Sequence, residues 1–473
     1  MKMEYKEQIW LNLLPLKKEW DVMMVGDETS LSSNLLSNSV KKLIISNFEK
    51  LSFDENSFDL IILCEAERLN KNEQNIVIQK AKKIMKSSGI FVVIATKFHP
   101  FRSYKYENLL QSKFKVVNVL GIFPSYKDQI FAFSLNKKTI YKASKKLLER
   151  RYSIKSIMGS AFLNIIAFVK LYRFHFMPTM LFFAYDKPDN MLLTSKEVKK
   201  DIVLIKGGSR NNICILNEKK IFKIPKIQTK NTSISTEFET IKNLEKLNIP
   251  NIPNQKLERR GDTFLLLSDY YGDPLLSAHD IRFSKLNKKG INEKLIEIMN
   301  WLINKYQIKM FNGEFERLEI NSANIQLESC FDDYKKGYIL PFGKIHGDFI
   351  YKNILYADNG KFVVIDFENN REDFLLFDLI YFYMYLFARL HDYHKIKDNF
   401  FEILNKKADN LFNTYTKTIK MFAEEYGLDY KILSSKIIPF YILCNIGKME
   451  GGITNRVVKK LAMDHLEYFK RQL

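Results

Sequence analysis

The first part of the chain alternates short apolar runs of strand length with a helix-like segment. Four apolar runs have the length of buried strands: Asp21–Val25, Lys42–Ile45, Phe58–Leu63 and Ile90–Thr96. Glu73–Lys86 lies between the last two runs and has the polar and apolar spacing of a helix. Such alternation is typical of a parallel, doubly wound sheet. Residues 1–190 are therefore predicted to form an α/β domain.

The end of this domain combines cations with apolar residues in Lys142–Phe176. Ile157–Val169 could lie in a membrane interface, with Phe162, Ile166 and Phe168 in the acyl boundary. The cations available for headgroups are Lys142, Lys145, Lys146, Arg150, Arg151 and Lys155. The favoured interpretation is that the segment packs inside its own domain. The strand-like run Met180–Tyr185 follows it and indicates that the segment is an insertion folded back onto that domain. Peripheral membrane contact is the alternative.

A second domain is predicted for residues 196–473, after a linker at Asp186–Ser195. Its small lobe, about 196–271, contains four strand-like runs: Ile202–Ile205, Ile213–Leu216, Ile221–Ile224 and Phe264–Leu267. The large lobe, about 272–473, has mostly helical patterns except for a strand–loop–strand region at His346–Phe367. This order of elements is typical of an α+β, bilobal, kinase-like fold.

Composition narrows the class of protein. The 473 residues are 46% hydrophobic and 27% charged, which is the balance of folded domains. The net charge of +20 favours anionic partners, but the lysines are scattered, and we expect no dedicated nucleic-acid binding. The spacing of the four cysteines indicates neither a zinc site nor a disulfide framework, so we expect a cytoplasmic protein.

The chemistry is concentrated in IHGDFIYKNILY and the following FVVIDFE. Phosphoryl transfer needs a carboxylate that orients the attacking hydroxyl and oxygen ligands that hold Mg²⁺. Asp348 suits the first role, and Asn353 with Asp366 suits the second. Asp366 follows the apolar run Phe362–Ile365, so it stands at the end of a predicted strand.

These motifs resemble the aminoglycoside phosphotransferase and choline kinase family over Asp201–Leu473. H-G-D-x-x-x-x-N and I-D-F-E take the place of the H-R-D and D-F-G of protein kinases. The resemblance implies an ATP- and Mg²⁺-dependent phosphotransferase acting on a hydroxyl of a sugar, aminoglycoside-like compound, nucleoside or amino alcohol. It also gives His346 and Asp378 structural roles, with Asp378 at the start of a helix.

The small lobe offers nucleotide-binding candidates. The loop in LIKGGSRNNICIL, with Gly207, Gly208 and Ser209, could present backbone N–H groups to phosphates. Further candidates follow from the resemblance: Lys223 as the phosphate lysine, Glu237 as its helix partner, and Ser268 and Tyr270 in a hinge at Ser268–Tyr271. Lys226 is a rival to Lys223, Lys219 and Lys220 precede the same strand, and Glu239 is an alternative to Glu237.

An acidic cluster precedes the catalytic motif. Its members between Gly313 and Asp333 are Glu314, Glu316, Glu319, Glu328, Asp332 and Asp333. In a chain of this positive charge the cluster could face a cationic substrate. A solvated loop is the favoured interpretation, because runs of charge usually face water.

The first domain resembles class I S-adenosylmethionine-dependent methyltransferases over about Asp21–Thr96, which implies a Rossmann-like fold. The glycine-rich turn is degenerate: VGDETSL has Gly26 followed by Glu28 and Ser30. The second strand ends in Ser46 where the resemblance implies an acid for the ribose. We therefore expect no S-adenosylmethionine binding and a scaffold or acceptor-binding role. The alternatives are a bifunctional methyltransferase–kinase and a non-catalytic pseudo-kinase that binds an anionic surface.

Overall fold

The chain divides into two compact units. The computed structural model describes residues 9–14, 16–26, 40–46, 53–64, 66–96, 100–124, 129–150, 153–174, 177–187, 201–207, 211–216, 220–226, 232–260, 263–276, 290–318, 338–356, 360–389, 398–406, 410–444 and 455–471. The first unit is Met1–Phe238 with Asn254–Tyr270, and the second is Glu239–Pro253 with Tyr271–Leu473.

The first unit begins with a Rossmann-like sheet. Its strands are β1 (Asp21–Val25), β2 (Lys42–Ser46), β3 (Phe58–Leu63), β4 (Met85–Ala95), β5 (Val116–Pro124), β6 (Gln129–Ser134) and β7 (Thr179–Tyr185). They lie in the order β2-β1-β3-β4-β7-β5-β6. Strands β1 to β4 pair in parallel, whereas β7 is antiparallel to both β4 and β5. The predicted α/β class is confirmed.

Four helices accompany this sheet: α1 (Lys71–Ile84), α2 (Pro100–Gln111), α3 (Lys137–Arg150) and α4 (Ile154–Phe168). Helix α1 begins with a capping box, in which the Asn70 side chain accepts from the Glu73 N–H and the Glu73 carboxylate accepts from the Asn70 N–H. The helix ends earlier than predicted because β4 starts at Met85, directly after Ile84.

The same sheet continues into the predicted small lobe. The added strands are β8 (Ile202–Ile205), β9 (Asn211–Leu216), β10 (Lys220–Pro225), β11 (Gln255–Arg260) and β12 (Thr263–Asp269). β8 pairs antiparallel with β6, which joins both sets into one sheet of 12 strands. Helix α5 (Thr232–Lys246) lies between β10 and β11 in sequence. The predicted domain boundary at 190–196 lies outside the described residues.

The second unit is mainly helical. Its helices are α6 (Ile291–Trp301), α7 (Ile308–Met310), α8 (Leu376–Arg389), α9 (Phe400–Lys406), α10 (Asn410–Glu425), α11 (Tyr430–Ile432), α12 (Ile438–Cys444) and α13 (Asn455–Lys470), with π-helical turns at Leu302–Gln307 and Leu433–Ile437. Helix α8 is apolar on all sides and is buried from Leu376 to Phe387. It forms the centre of the core, as expected for a helix without a polar face.

Two small sheets complete the second unit. One contains β13 (Asp273–Pro274), β16 (Ile354–Tyr356) and β17 (Phe362–Val364), as the predicted strand–loop–strand region requires. The other contains β14 (Phe311–Leu318), β15 (Tyr338–Ile345) and β18 (Arg371–Phe374), and none of its three strands was predicted. The pattern missed β14 because almost all of its side chains face solvent, so it lacks an apolar alternation.

The basic segment at the end of the first domain forms the adjacent helices α3 and α4. Leu163 and Ile166 of α4 are buried in the core of this unit, which agrees with the favoured packing interpretation. Ile166 therefore does not lie in a lipid-facing position, and Phe162 is only partly exposed. Among the described residues, no helix is long and apolar enough to cross a bilayer.

Candidate active site

The predicted catalytic loop starts where β15 ends. The buried Asp378, in the first turn of α8, accepts a hydrogen bond from the His346 backbone N–H at 2.7 Å and another from the Gly347 N–H at 2.9 Å. A single carboxylate thus satisfies two consecutive backbone donors of the loop. This arrangement fixes the start of the loop on the most buried helix of the unit.

The His346 side chain connects the two halves of the motif. Its ring is fully buried, its Nδ1 accepts from the Asp348 N–H at 3.3 Å, and its Nε2 lies 2.9 Å from the Ile365 carbonyl oxygen. With Nδ1 as the acceptor, the proton of a neutral imidazole is on Nε2, which donates to that carbonyl. The residue before Asp366 is therefore linked directly to the loop that carries Asp348.

Only glycine fits at position 347 of this turn. Its φ is +80°, in the left-handed region. A Cβ at this position would lie 2.3 Å from the Asn369 carbonyl oxygen. Any side chain would push the loop away from the segment that follows Asp366. The glycine of H-G-D thus allows the two functional segments to approach closely.

Asp348 and Asn353 are in direct contact. The Asn353 Nδ2 donates to the Asp348 carbonyl oxygen at 2.8 Å and to its Oδ2 at 3.1 Å. Asn353 ends the short 3₁₀ turn Tyr351–Asn353, immediately before β16. Since both bonds use the amide nitrogen, the Oδ1 of Asn353 remains the atom suited to a cation.

The electrostatics of Asp348 favour a proton acceptor. Burial and the neighbouring Asp366 raise the pKa of Asp348 to about 7, with further contributions from Glu368 and Asp378, while the Asn353 bond lowers it. A carboxylate with a raised pKa is a stronger base than an ordinary one. Burial likewise raises the pKa of Asp378 to about 7, and its two backbone hydrogen bonds lower it.

Asp366 lies at the open end of the β16–β17 hairpin. Ile354 pairs with Val364 across this hairpin, and the Ile365 N–H donates to the Asn353 carbonyl oxygen at 2.9 Å. Asp366 has φ +71° and ψ +51°, a conformation that costs a non-glycine residue on the order of 1 kcal/mol. The hairpin therefore holds Asn353 and Asp366 on adjacent strand ends, with Asp366 in a strained backbone.

In the first unit, the structure pairs two of the predicted nucleotide-site residues. Lys223 on β10 places its Nζ 2.6 Å from Glu237 Oε2, and Glu237 is fully buried. Gln255 on β11 donates to the other carboxylate oxygen at 3.3 Å. Of the alternatives, Glu239 is exposed and Lys220 is exposed at the start of β10, whereas Lys226 is buried.

The other predicted nucleotide-site residues and the acidic cluster lie only partly within the described residues. Gly207 follows β8, while Gly208, Ser209 and Lys219 lie outside the described residues. Ser268 is on β12, and the Tyr270 ring lies under Lys142 of α3, with Nζ 4.6 Å from the centroid. In the acidic cluster, Glu314 and Glu316 are exposed on β14, and the other four members lie outside the described residues.

Sequence reasoning gave no role to two side chains that the structure places at these sites. Glu368, in the 3₁₀ turn after Asp366, adds negative charge near Asp348. Gln255, on a strand that was not predicted, contacts Glu237. Glu368 was visible in I-D-F-E, but the motif alone did not show where its side chain points. Nothing in the local sequence marks Gln255.

The donor set of the second unit fits a hard divalent cation. An amide oxygen and a carboxylate from adjacent strand ends are ligands of the type that Mg²⁺ prefers. No thiol or second imidazole was predicted or found there among the described residues, so the site does not resemble a zinc site. Asn353 and Asp366 are the residues that could hold such an ion.

The corresponding region of the Rossmann-like sheet is packed differently. Gly26, after β1, has φ +128°, and a Cβ there would lie 3.0 Å from the Cys64 Cβ. Its N–H donates to the Ser46 carbonyl oxygen at 3.0 Å. Gly26 is therefore explained by close contact between strand ends. Glu28 and Ser30 lie outside the described residues.

Comparisons with known proteins complete this description. No family model and no curated protein matches the sequence. Among solved structures, the chain is similar to a GDP complex of an aminoglycoside 2'-phosphotransferase-IIIa mutant, with 14% identity, 57% of this chain and 91% of that chain covered, and a TM-score of 0.33. A streptomycin–ATP complex of APH(2")-IIa gives 14% identity, 57% and 92% coverage, and a TM-score of 0.30.

A methyltransferase of an antibiotic biosynthesis pathway from Anabaena variabilis matches with 14% identity, 37% of this chain and 94% of that chain covered, and a TM-score of 0.21. The matched structures are thus of the two kinds that the sequence resembles. At these identities and TM-scores the matches show nothing about function, which is inferred from the residues of the site.

Proposed function

We propose that the chain is an ATP- and Mg²⁺-dependent phosphotransferase acting on a hydroxyl group of a small molecule. The observation that carries this proposal is the linked set Asp348, Asn353 and Asp366, held by His346 and Asp378. The acceptor class is a sugar, an aminoglycoside-like compound, a nucleoside or an amino alcohol. The first domain would serve as a scaffold or bind the acceptor.

In the proposed reaction, the acceptor hydroxyl oxygen forms a bond to the γ-phosphorus of ATP, and the bond from that phosphorus to the bridging oxygen of ADP breaks. Asp348 orients the hydroxyl and receives its proton, a role that its raised pKa supports. Asn353 and Asp366 would hold a Mg²⁺ ion, which would neutralise charge on the phosphoryl oxygens. Lys223, kept in place by Glu237, would bind the nucleotide phosphates.

The buried ion pair Lys223–Glu237 supports a nucleotide role. Burying two charges has a large desolvation cost, and a pair of apolar residues would often be at least as stable. The pair therefore suits a site that must present a cation to phosphates. The 2.6 Å contact with Glu237 Oε2 supports Lys223, rather than its neighbours in the same segment, as the proposed nucleotide lysine.

The proposal is tested by measuring ATP consumption with Mg²⁺ against a panel of sugars, aminoglycosides, nucleosides and amino alcohols. With an accepted substrate, Asp348→Ala should lower kcat by about 10²-fold or more, because general-base assistance contributes at least that much. Nucleotide affinity should change little. Glu424→Ala is the matched control, since Glu424 is an exposed acid on α10 of the same unit.

Two results would oppose the proposal. Turnover of Asp348→Ala equal to that of the wild type would remove Asp348 from the proposed role. Absence of both nucleotide binding and ATP consumption in a folded protein would favour the non-catalytic interpretation. The thermal midpoint of each variant distinguishes loss of chemistry from loss of fold.

A further inference from the structure

Helix α4 of the first unit has two apolar faces. The inner face buries Leu163, Ile166 and Ala167 in the core of the unit. It is attached to α3, where Ser144 Oγ lies 2.6 Å from Ser160 Oγ. A helix that is apolar on all sides is ordinarily covered on all sides. Only one side of α4 is covered by the described part of the chain.

The outer face forms an exposed apolar stripe, defined here as Ile154, Met158, Ile165, Phe168 and Val169. Their exposed fractions are 78%, 68%, 59%, 78% and 56%. Ile154, Met158, Ile165 and Phe168 recur at helical spacing, so they lie along one side of a helix about 22 Å long. Contiguous exposed apolar surface of this kind marks an interaction site.

A groove runs beside the apolar stripe. It is lined by Tyr141 of α3 and by Asn164, Ile165 and Phe168 of α4, with a volume of ≈ 440 Å³. The groove is open to solvent and mainly apolar. It is large enough for the end of an acyl chain, and Lys137 lies 5.7 Å from the ring centroid of Tyr141 at its side.

Positive charge surrounds the apolar stripe. Residues 137–173 contain ten Lys or Arg and a single acid, Glu149. Lys155 is exposed in the first turn of α4, and Lys170 and Arg173 are exposed just beyond its end. Cations therefore flank the stripe at both ends, which is the arrangement of a helix that lies in a membrane interface.

We propose that the apolar stripe of α4, with its flanking cations, binds the surface of an anionic phospholipid membrane. The apolar side chains would enter the acyl boundary, while Lys155, Lys170 and Arg173 would contact phosphates of the headgroups. The net charge of the segment disfavours a second copy of the chain as the occupant, because like charges would face each other. Phe168 is the one aromatic residue of the stripe, so the stripe has no row of rings on which successive nucleic-acid bases could stack.

The test is co-sedimentation of the full chain with vesicles of phosphatidylcholine alone or mixed with phosphatidylglycerol, without nucleotide. Binding is expected to the anionic vesicles in 0.1 M salt and to be lost in 1 M salt, because the Debye length falls from about 10 Å to about 3 Å. Met158→Asp with Phe168→Asp should reduce binding at least about tenfold. Lys155→Glu with Arg173→Glu should also reduce it, since each surface cation contributes about fivefold.

Ile76→Asp is the matched control, because Ile76 is an exposed apolar residue of the same unit that lies on another helix, α1. This variant should bind like the wild type. A wild-type protein that stays in the supernatant at low salt would overturn the proposal, and so would equal binding to neutral vesicles at both salt concentrations. A dimer that Met158→Asp with Phe168→Asp abolishes, without vesicle binding, would assign the stripe to self-association instead.

Discussion

Two pairs of strand ends can be compared. In the second unit they are the ends of β15 and β17, and in the first unit the ends of β1 and β2, and their local structures differ. Each is the carboxyl end of a strand at which the sequence placed a candidate functional residue. In the second unit, Asp348, Asn353 and Asp366 are linked through hydrogen bonds of the motif itself. In the first unit, Gly26 packs against Cys64, and β2 ends in Ser46.

The two places differ in how many local features go beyond what the fold itself requires. The second unit maintains costly features, namely buried carboxylates with raised pKa values and an aspartate in the left-handed region. None of these is needed to fill a core, and such features cluster at functional sites. The described ends of β1 and β2 show neither feature: Gly26 packs against Cys64, and β2 ends in Ser46.

The largest expected effect concerns Asp366, the proposed metal ligand. Asp366→Asn keeps the shape of the side chain but removes its charge, so it should lower kcat by roughly 10²-fold and raise the Mg²⁺ concentration that gives half the maximal rate. Initial rates over a Mg²⁺ titration measure both effects. Asp429→Asn, at the start of α11, is the control. Activity that survives complete chelation would remove the metal from the proposal.

The next effect concerns Lys223 and Glu237. Lys223→Ala leaves the buried Glu237 carboxylate without its ammonium partner, so we expect a loss of about 3 kcal/mol in the free energy of unfolding. The KM for ATP should rise as well. Denaturant unfolding of Lys223→Ala, Glu237→Gln and the double variant gives the coupling energy.

The control for this cycle is the half-exposed pair Lys242–Glu245 on α5, with Nζ 2.6 Å from Oε2. Solvent screening should limit its coupling to below about 1 kcal/mol. Equal coupling energies for the two pairs would show that burial of Lys223–Glu237 has no special consequence. A KM for ATP unaffected by Lys223→Ala would remove Lys223 from the nucleotide site.

A smaller effect concerns Asp378, which accepts from two backbone N–H groups. Asp378→Asn retains one acceptor oxygen but places an amide nitrogen against the second donor, which should cost about 2 kcal/mol of stability. A denaturant midpoint measures it. Asp398→Asn, before α9, serves as control. If activity falls while stability is unchanged, Asp378 acts on the position of the loop rather than on the core.

The candidate catalytic residues could be proposed from the sequence because they are close along the chain. Asp348 and Asn353 are five residues apart, and the strand before Asp366 is a clear apolar run. The contacts that hold these residues in place could not be predicted from the sequence. The link from His346 to Ile365 and the two bonds to Asp378 cross 19 to 32 residues and depend on how the hairpin and α8 pack.

The continuous sheet illustrates the same limit for the fold. The individual strands β8, β9, β10 and β12 followed from their apolar runs. Their union with the Rossmann-like sheet depends on the pairing of β6 with β8, in which Phe131 lies opposite Ile205. Hydrophobic patterns give the faces of a strand but not its neighbour, so the sequence predicted two separate sheets.

The smallest expected effect is a null result for S-adenosylmethionine binding. The end of β1 packs through Gly26 onto Cys64, and Ser46 supplies no carboxylate for ribose hydroxyls. We therefore expect no heat of binding when S-adenosylmethionine is titrated into the full chain at micromolar concentrations. ATP with Mg²⁺, titrated into the same preparation, is the positive control for a folded protein. A saturable S-adenosylmethionine signal would favour the bifunctional methyltransferase–kinase. It would mean that the first domain binds the cofactor without the glycine-rich turn and the acid that the resemblance implies.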